Sequence, residues 1–152
     1  MAIRQATASD KAAIAALIDA AYGHYIPVIG RKPRPMLDDH GARIIKGEHY
    51  VLEGADGIEA VITLTSEARP DALHIFNIAV HPDWQGRGHL RALLAFAEAQ
   101  ARAGEKAWLT LYTNALMVRN RAIYGHLGFV ELREEEGSGY RIVFMERAIP
   151  AA

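Results

Sequence analysis

A glycine-containing segment between a predicted strand and a predicted helix carries the clearest chemistry of the chain. Residues 78–94 read Ile-Ala-Val-His-Pro-Asp-Trp-Gln-Gly-Arg-Gly-His-Leu-Arg-Ala-Leu-Leu. The first amides of a helix are unpaired and carry a partial positive charge, and glycine lets backbone amides approach a ligand closely. Gly86 and Gly88 therefore predict a phosphate-binding turn. On the glycines alone, an ordinary strand-to-helix turn is an equal alternative.

This turn lacks the residues of two well-defined phosphate-binding fingerprints. A dinucleotide-binding fingerprint needs a third glycine, but Arg91 stands at that position. A P-loop needs Gly-Lys followed by Ser or Thr, which is also missing. The segment therefore matches neither fingerprint.

The segment from 23 to 37 combines helix breakers with basic side chains. It holds two glycines, three prolines and the basic residues Arg31, Lys32 and Arg34. That composition excludes a long regular element, and a loop of this length is usually functional or disordered. If Arg31 and Arg34 face a pocket, bidentate pairing favours a ligand with a carboxylate or phosphate. An ordered, proline-braced cover is the equal alternative.

The hydrophobic spacing predicts a mixed α/β chain with about seven strands and four helices. A helix lies between the strands at 73–80 and 108–112, as a parallel crossover requires, and the other strands form antiparallel hairpins. Glu134, Glu135 and Glu136 are predicted in a solvated hairpin turn. The predicted strands are 2–6, 48–53, 58–66, 73–80, 108–112, 129–135 and 139–147, and the predicted helices are 8–22, 38–46, 88–103 and 116–127.

The composition indicates one cytoplasmic domain, residues 1–152, of which 51% are hydrophobic. Seventeen Lys and Arg face eighteen Asp and Glu, so no cationic field points to nucleic acid. The absence of cysteine excludes disulfides, thiolate metal sites and cysteine nucleophiles, and suits a reducing compartment. No apolar run approaches the roughly 20 residues of a membrane span, and no signal peptide is expected.

The glycine segment strongly resembles the pyrophosphate-binding motif of the GNAT superfamily of acyl-CoA-dependent N-acetyltransferases. Gln85-Gly86-Arg87-Gly88 match the family pattern and follow a strand that ends Ala-Val-His-Pro. Leu90 departs from it, because the family usually has Gly or Ala there, and its side chain is expected to point into the helix packing. The resemblance implies acetyl-CoA contacts by Gln85, Gly86, Arg87, Gly88, His89 and Leu90, and by the backbone of Ile78, Ala79 and Val80.

A second stretch is similar to the last conserved block of the same family. Asn120 and Tyr124 lie four apart on one helix face, and Gly128-Phe129 end the block. The resemblance implies that the Tyr124 hydroxyl lies near the CoA sulfur and protonates the leaving thiolate. Met117 stands where many members have an asparagine, so Asn120 is expected to supply the cofactor hydrogen bond. The alternatives are a core role for Tyr124 and a surface role for Asn120.

The resemblance implies the GNAT fold and transfer of an acetyl group from acetyl-CoA to a primary amine. Direct transfer in a ternary complex is expected, because no cysteine can carry the acetyl group. The base is unresolved, since no carboxylate lies on the strand at 73–80, and a water relayed by His74 or a loop histidine is one route. The rivals are a non-catalytic acyl-CoA-binding module and a protein or peptide acetyltransferase, which needs an open groove.

In the GNAT fold the connection between the first two helices walls the acceptor site. Residues Tyr22, His24, Tyr25, Arg31 and Arg34 are therefore the candidate acceptor-binding residues. The expected partners are acetyl-CoA and a small-molecule amine, with a homodimer left open, and no metal, nucleic acid or membrane.

Overall fold

The computed structural model describes residues 2–66 and 69–151, and in them seven strands form one sheet. The strand order is β1-β2-β3-β4-β5-β7-β6. The strands are β1 (Ala2–Gln5), β2 (His49–Gly54), β3 (Gly57–Thr65), β4 (Ala72–Val80), β5 (Trp108–Asn114), β6 (Val130–Gly137) and β7 (Tyr140–Ala148). The α-helices are α1 (Lys11–Tyr22), α2 (Ile26–Ile29), α3 (His40–Ile45), α4 (His89–Ala103) and α5 (Val118–His126).

The predicted mixed sheet is confirmed. β4 and β5 run parallel, as the intervening α4 requires, and every other neighbouring pair is antiparallel. The four predicted helices correspond to α1, α3, α4 and α5, while α2 is a single extra turn within the 23–37 segment.

Helices cover both faces of the sheet. On one face α4 and α5 bury Leu93, Leu94 and Tyr124 against the inward side chains of β3, β4, β5 and β7. On the other face α1 buries Ile14 and Ile18 against β2 and β3. The apolar residues of α1 recur every three or four positions, so a single stripe faces the sheet.

The N-terminal helical stretch differs from the sequence-based expectation. Ala8–Ile29 form 22 residues of consecutive helical turns that are long and apolar enough, by length and composition alone, to cross a membrane. The expectation that no apolar run approaches that length is therefore wrong by this measure, because alanines make up much of the run. A core helix meets the same test, and α1 buries Ile14, Leu17 and Ile18 against the sheet. The buried stripe of α1 therefore belongs to the core, while Val28, near the end of the same stretch, is exposed.

A β-bulge in β4 opens the sheet at its centre. The β3–β4 register passes from Thr63–Asn77 to Leu64–Ile75 and leaves Phe76 as the extra residue. A bulge bends its strand, and here β4 and β5 pair only from Ala72–Trp108 to Ile75–Leu111. The two strands therefore splay apart beyond that point and leave a wedge between them.

Two predicted loops have more structure than expected. The 23–37 segment is a series of short helical turns, Gly23–Tyr25, Ile26–Ile29 and Arg34–Leu37, with prolines at the first turns of the last two. Glu134–Glu136 belong to β6 rather than to a turn, because Arg141 of β7 binds Glu134 across the strands at 2.7 Å. The reversal itself occurs at Ser138 and Gly139, whose φ values are positive.

Candidate functional site

The wedge between β4 and β5 leads into a pocket that reaches both faces of the sheet. α5 walls the pocket on one side, and the end of α1 and part of the 23–37 segment wall it on the other. The walls are mostly aromatic and apolar, with a few polar groups. The lining residues are Tyr22, Pro33, Arg34, Pro35, Ile75, Phe76, Asn77, Ile78, Leu111, Tyr112, Thr113, Asn114, Met117, Asn120, Tyr124, Tyr140 and Ile142.

Beyond its last pair with β5, β4 turns part of its backbone toward the wedge. The His81 amide donates to the Glu59 carbonyl at 2.9 Å. In an antiparallel ladder, residues whose backbone bonds to the neighbouring strand alternate with residues whose backbone does not. The backbone of Ala79 therefore bonds to β3, while the backbone N–H and C=O groups of Ile78 and Val80 point away from β3. Ile78 and Val80 therefore keep backbone groups on the wedge side. The predicted contact by Ala79 does not fit, because its backbone lies in the β3 ladder and its side chain in the core.

The turn between β4 and α4 has the backbone that its two glycines predict. Gly86 and Gly88 have φ values of +77° and +87°, and a Cβ at either position would meet open space. Within residues 2–66 and 69–151, no acceptor binds the backbone amides from Gly86 to Arg91. These amides form a cradle at the start of a 15-residue helix, and that geometry suits a phosphate.

Side chains of this turn contact neighbouring residues and hold the turn in place. Gln85 Nε2 donates to the Val80 carbonyl at 3.3 Å, which ties the turn to the end of β4. The Arg87 guanidinium lies 4.8 Å from the centre of the Trp84 ring. Leu90 packs against the core beneath α4, as expected, so its backbone amide stays at the cradle.

His89 turns its side chain away from the cradle and into a buried contact with Glu59. His89 Nε2 lies 2.8 Å from Glu59 Oε1, and the side chains are 3% and 6% exposed. His89 Nδ1 is buried without a partner in the described part of the chain. Only the His89 amide therefore faces the cradle. The sequence analysis missed Glu59, although a lone acidic residue in the apolar strand β3 was a signal for it.

Tyr124 presents a hydroxyl to the pocket with no hydrogen bond to any described residue. Its side chain is 7% exposed and packs against Phe129, with ring centres 5.9 Å apart. Burial raises the pKa of the Tyr124 hydroxyl above its ordinary value, and the nearby Tyr25 raises it further. The hydroxyl therefore stays protonated at neutral pH and can donate a hydrogen bond to a ligand.

Tyr22 holds the bulged part of β4 in place. Its hydroxyl lies 2.6 Å from Asn77 Oδ1 and 3.0 Å from the Ile78 carbonyl. Burial raises the pKa of the Tyr22 hydroxyl, with smaller contributions from Tyr124 and Tyr25. Asn77 accepts this bond through its oxygen and is itself one of the residues that line the pocket.

Asn120 lines the pocket beside Tyr124, while Tyr25 lies behind it. The Tyr25 hydroxyl donates to Asn120 Oδ1 at 3.4 Å, and Asn120 Nδ2 donates to the Met117 sulfur at 3.5 Å. Met117 is buried and contributes an apolar part of the pocket lining. Tyr25, predicted to bind the acceptor, therefore supports Asn120 instead of lining the pocket.

The two predicted loop arginines both approach Tyr140 but have different surroundings. The Arg34 guanidinium lies in the pocket, 5.8 Å from the ring centres of both Tyr112 and Tyr140. Arg31 is exposed outside the pocket, 4.3 Å from the Tyr140 ring centre, and donates to the Ser138 carbonyl. The predicted acceptor contact by Arg31 does not fit this position.

Histidines outside the pocket form buried hydrogen bonds within the fold. His74 Nδ1 lies 2.9 Å from Thr110 Oγ1, so His74 bonds within the sheet and does not line the pocket. His49 lies between Thr63 Oγ1 at 2.8 Å and His40 at 3.0 Å. The pKa values of His74 and His49 are both lowered to about 4, mainly by burial. The charge of Arg43 also lowers the pKa of His74, and the charge of His40 also lowers the pKa of His49.

Asp38, His40 and His49 also place one ligand atom each within 4.8 Å of one another, which the sequence analysis missed. In this structure those atoms already have partners. The His40 and His49 nitrogens bond each other, and Arg43 holds the Asp38 carboxylate at 3.1 Å. We therefore interpret this group as a hydrogen-bond network.

These buried histidines predict a loss of stability in mild acid. Their pKa values are lowered in the folded chain, so the unfolded chain binds protons first as the pH falls from 6.5 toward 4. Stability should be highest above pH 6.5 and should fall by about 2 kcal/mol per histidine at pH 5. Urea unfolding at pH 7.5 and pH 5 measures this. His74→Gln should flatten the dependence, and the exposed control His126→Gln should not. Equal stability of the unsubstituted chain at the two pH values would contradict the assignment.

The sequence model described as the acetyltransferase (GNAT) domain matches residues 46–131. That range is more than half of the chain and includes both the cradle and Tyr124. No curated protein matches the chain.

Solved structures share the fold over nearly the whole chain. The ribosomal-protein-S18-alanine N-acetyltransferase from Escherichia coli is 20% identical, with a TM-score of 0.71 over 99% of this chain and 95% of its own. IAA acetyltransferase from Bacillus cereus is 22% identical, with a TM-score of 0.68 over 97% and 98%. N-acetylglutamate synthase from Neisseria gonorrhoeae, solved with coenzyme A and N-acetyl-glutamate, is 23% identical, with a TM-score of 0.73 over 99% of this chain and 35% of its own. At these identities the likeness shows the fold alone.

Proposed function

The chain belongs to the GNAT acetyltransferase family, and from that premise we propose that it transfers an acetyl group from acetyl-CoA to the primary amine of a small molecule. The observation that carries this proposal is the continuity of two features. The cradle of free amides at residues 86–91 adjoins the end of β4, and the wedge beside β4 leads to the unpaired hydroxyl of Tyr124.

The cradle and the wedge fit the two ends of acetyl-CoA. The amides from Gly86 to Arg91 would bind the pyrophosphate, and the left-handed glycines keep Cβ atoms out of that space. The wedge-side backbone of Ile78 and Val80 would bind the pantetheine arm, with the Ile78 or Val80 amide polarising the thioester carbonyl. Acetyl-CoA supplies the activated acetyl group and a thiolate leaving group.

Tyr124 is the proposed general acid. The amine nitrogen attacks the thioester carbon, the carbon–sulfur bond breaks, and its electron pair goes to sulfur. The Tyr124 hydroxyl donates to that sulfur as the negative charge develops. Since burial raises the pKa of Tyr124, the hydroxyl enters the reaction protonated.

No described residue in the pocket supplies an obvious base. The lining contains no carboxylate or histidine, and His74, a candidate in the sequence analysis, is bonded to Thr110 outside the pocket. His24, the other candidate, stacks on Tyr25 with ring centres 4.1 Å apart. We therefore propose that the acceptor binds as the free amine and that, once it has attacked, its nitrogen loses one of its two protons to water.

This absence of a base predicts a pH dependence set by the acceptor. kcat/KM should rise with pH up to the pKa of the acceptor's own ammonium group, because only the neutral amine can attack. Two acceptors whose ammonium pKa values differ by one unit should therefore show rate profiles displaced by one unit. Profiles that coincide for both acceptors would instead indicate a base on the protein.

The 23–37 segment favours a small acceptor over a peptide. Its Lys32 carbonyl accepts a 2.5 Å hydrogen bond from the Tyr140 hydroxyl, and Arg31 donates to the Ser138 carbonyl. These contacts join the segment to the β6–β7 hairpin across the side of the pocket. A protein substrate would need an open groove at this position.

Thiol release tests the proposal against a non-catalytic acyl-CoA-binding module. The chain is incubated with acetyl-CoA and a library of amines, and free CoA is measured with a thiol reagent while acetyl-CoA affinity is measured by calorimetry. Amine-dependent CoA release supports the enzyme. Tight binding of acetyl-CoA without release for any amine supports the binding module, and release only with peptides supports the protein acetyltransferase.

A further inference from the structure

The acceptor side of the pocket has one charged side chain among its described lining residues. That residue is Arg34, and the remaining lining is aromatic, aliphatic or neutral polar. Arg34 is half-buried and makes neither a hydrogen bond nor an ion pair with any described residue. A guanidinium has five N–H donors, so Arg34 brings an unused set of donors to the pocket.

The position of Arg34 is set by its neighbours. Pro33 and Pro35 flank it and restrict the backbone, and the segment from Arg34 to Leu37 forms a helical turn. The guanidinium lies between the rings of Tyr112 and Tyr140, 5.8 Å from each ring centre. A group that is already oriented loses less conformational freedom when it binds a ligand.

The charge of the pocket discriminates between classes of amine. A diamine or polyamine brings a second cation, which the described lining would leave beside Arg34 without a carboxylate partner. An amine with an anionic group brings the planar or tetrahedral oxygens that a guanidinium binds through two bonds. The aromatic and proline walls favour an apolar body between the two groups.

We propose that the acceptor is an amine carrying a carboxylate or phosphate, and that Arg34 is the residue that selects it. This inference rests on the proposed acetyltransferase function. It assigns to Arg34 the binding of the acceptor's anionic group, in the part of the pocket lined by Tyr112 and Tyr140.

The experiment compares acceptors that differ only in the anionic group. Thiol release is measured for the common amino acids, their carboxamides, their decarboxylated amines, phosphoethanolamine and putrescine. Because the ammonium pKa values of these acceptors differ, kcat/KM is expressed per concentration of free amine. On that scale the best acceptor should be anionic, with kcat/KM about 10- to 150-fold above its neutral counterpart, the range of one lost charged hydrogen bond. The amino acid and phosphoethanolamine arms distinguish a carboxylate from a phosphate. A neutral amine or putrescine as the best acceptor would overturn the proposal.

Substitutions of Arg34 separate recognition from folding. Arg34→Gln should raise the KM of the anionic acceptor 10- to 150-fold and leave acetyl-CoA affinity unchanged. Arg34→Lys should restore part of the loss, and Arg34→Glu should reverse the preference toward putrescine. The matched control is Arg31→Gln, which removes the same charge from an exposed position outside the pocket and should leave the preference unchanged. A preference that stays anionic in Arg34→Glu would overturn the role of Arg34.

A binding measurement keeps the inference testable if no amine is acetylated. In the presence of CoA, N-acetylated amino acids should raise the melting temperature of the unsubstituted chain more than their N-acetylated carboxamides do. Arg34→Gln should abolish that difference. If the difference in melting temperature is present but no amine is acetylated, the anion site stands and the proposed function fails. If both the difference and the acetylation are absent, the anion site and the proposed function both fail.

Discussion

Gly88→Glu should abolish acetyl-CoA binding. Gly88 is in the left-handed region with φ +87°, and a Cβ there points into the open space of the cradle. A glutamate would fill that space and place a negative charge where the pyrophosphate must lie. Loss of one charged hydrogen bond costs about 1.5–3 kcal/mol, and several amides are involved, so affinity should fall at least about 100-fold. Calorimetric titration with acetyl-CoA measures the effect.

Two controls separate the charge from the backbone strain. Gly30→Glu introduces the same residue at φ +86°, also into open space, but within the 23–37 segment. It should retain acetyl-CoA affinity. Gly88→Ala imposes the left-handed strain at the cradle without the charge and should lose much less affinity than Gly88→Glu. Native affinity in a folded Gly88→Glu variant would refute the assignment of the cradle.

Tyr124→Phe should lower turnover about 10²- to 10⁴-fold and leave acetyl-CoA affinity nearly unchanged. Only the hydroxyl is lost, and no described residue bonds it, so packing against Phe129 should persist. Single-turnover kinetics measure the chemical step directly. The drop should be in kcat, since the hydroxyl acts on the leaving sulfur and not on the bound acceptor.

Tyr50→Phe is the matched control for this change. Tyr50 is a partly buried tyrosine of β2 that packs against Phe96, with ring centres 4.9 Å apart, away from the pocket. Its turnover should equal that of the unsubstituted chain. If Tyr124→Phe retained full single-turnover rates, the sulfur would need another proton donor and Tyr124 would be a wall of the pocket.

Local patterns were enough to predict the order of elements and the glycine turn before α4. The phosphate turn depends on Gly86, Gly88 and the first turn of α4, which are adjacent in the sequence. The parallel step from β4 to β5 follows from the helix between them. Such features depend on neighbours in the chain, so composition and spacing report them.

The features that the sequence did not reveal depend on contacts between distant segments. Arg31 and Arg34 both approach the ring of Tyr140, over 100 positions away, yet only Arg34 lines the pocket. Glu59 meets His89 only after β3 lies beside α4. The wide loop at 23–37 is ordered by its bonds to the β6–β7 hairpin, which its own composition cannot encode.

The bulge at Phe76 also fixes the length of β4. Leu73 and Ile75 face the α4 side of the sheet, as do Ile78 and Val80, although an unbroken strand would place these two pairs on opposite faces. Deleting Phe76 would therefore restore an unbroken strand and close the wedge, while every other side chain of β4 kept its present face. The loss of one codon at this position should therefore remove the site and leave the pairing of the sheet and its core in place.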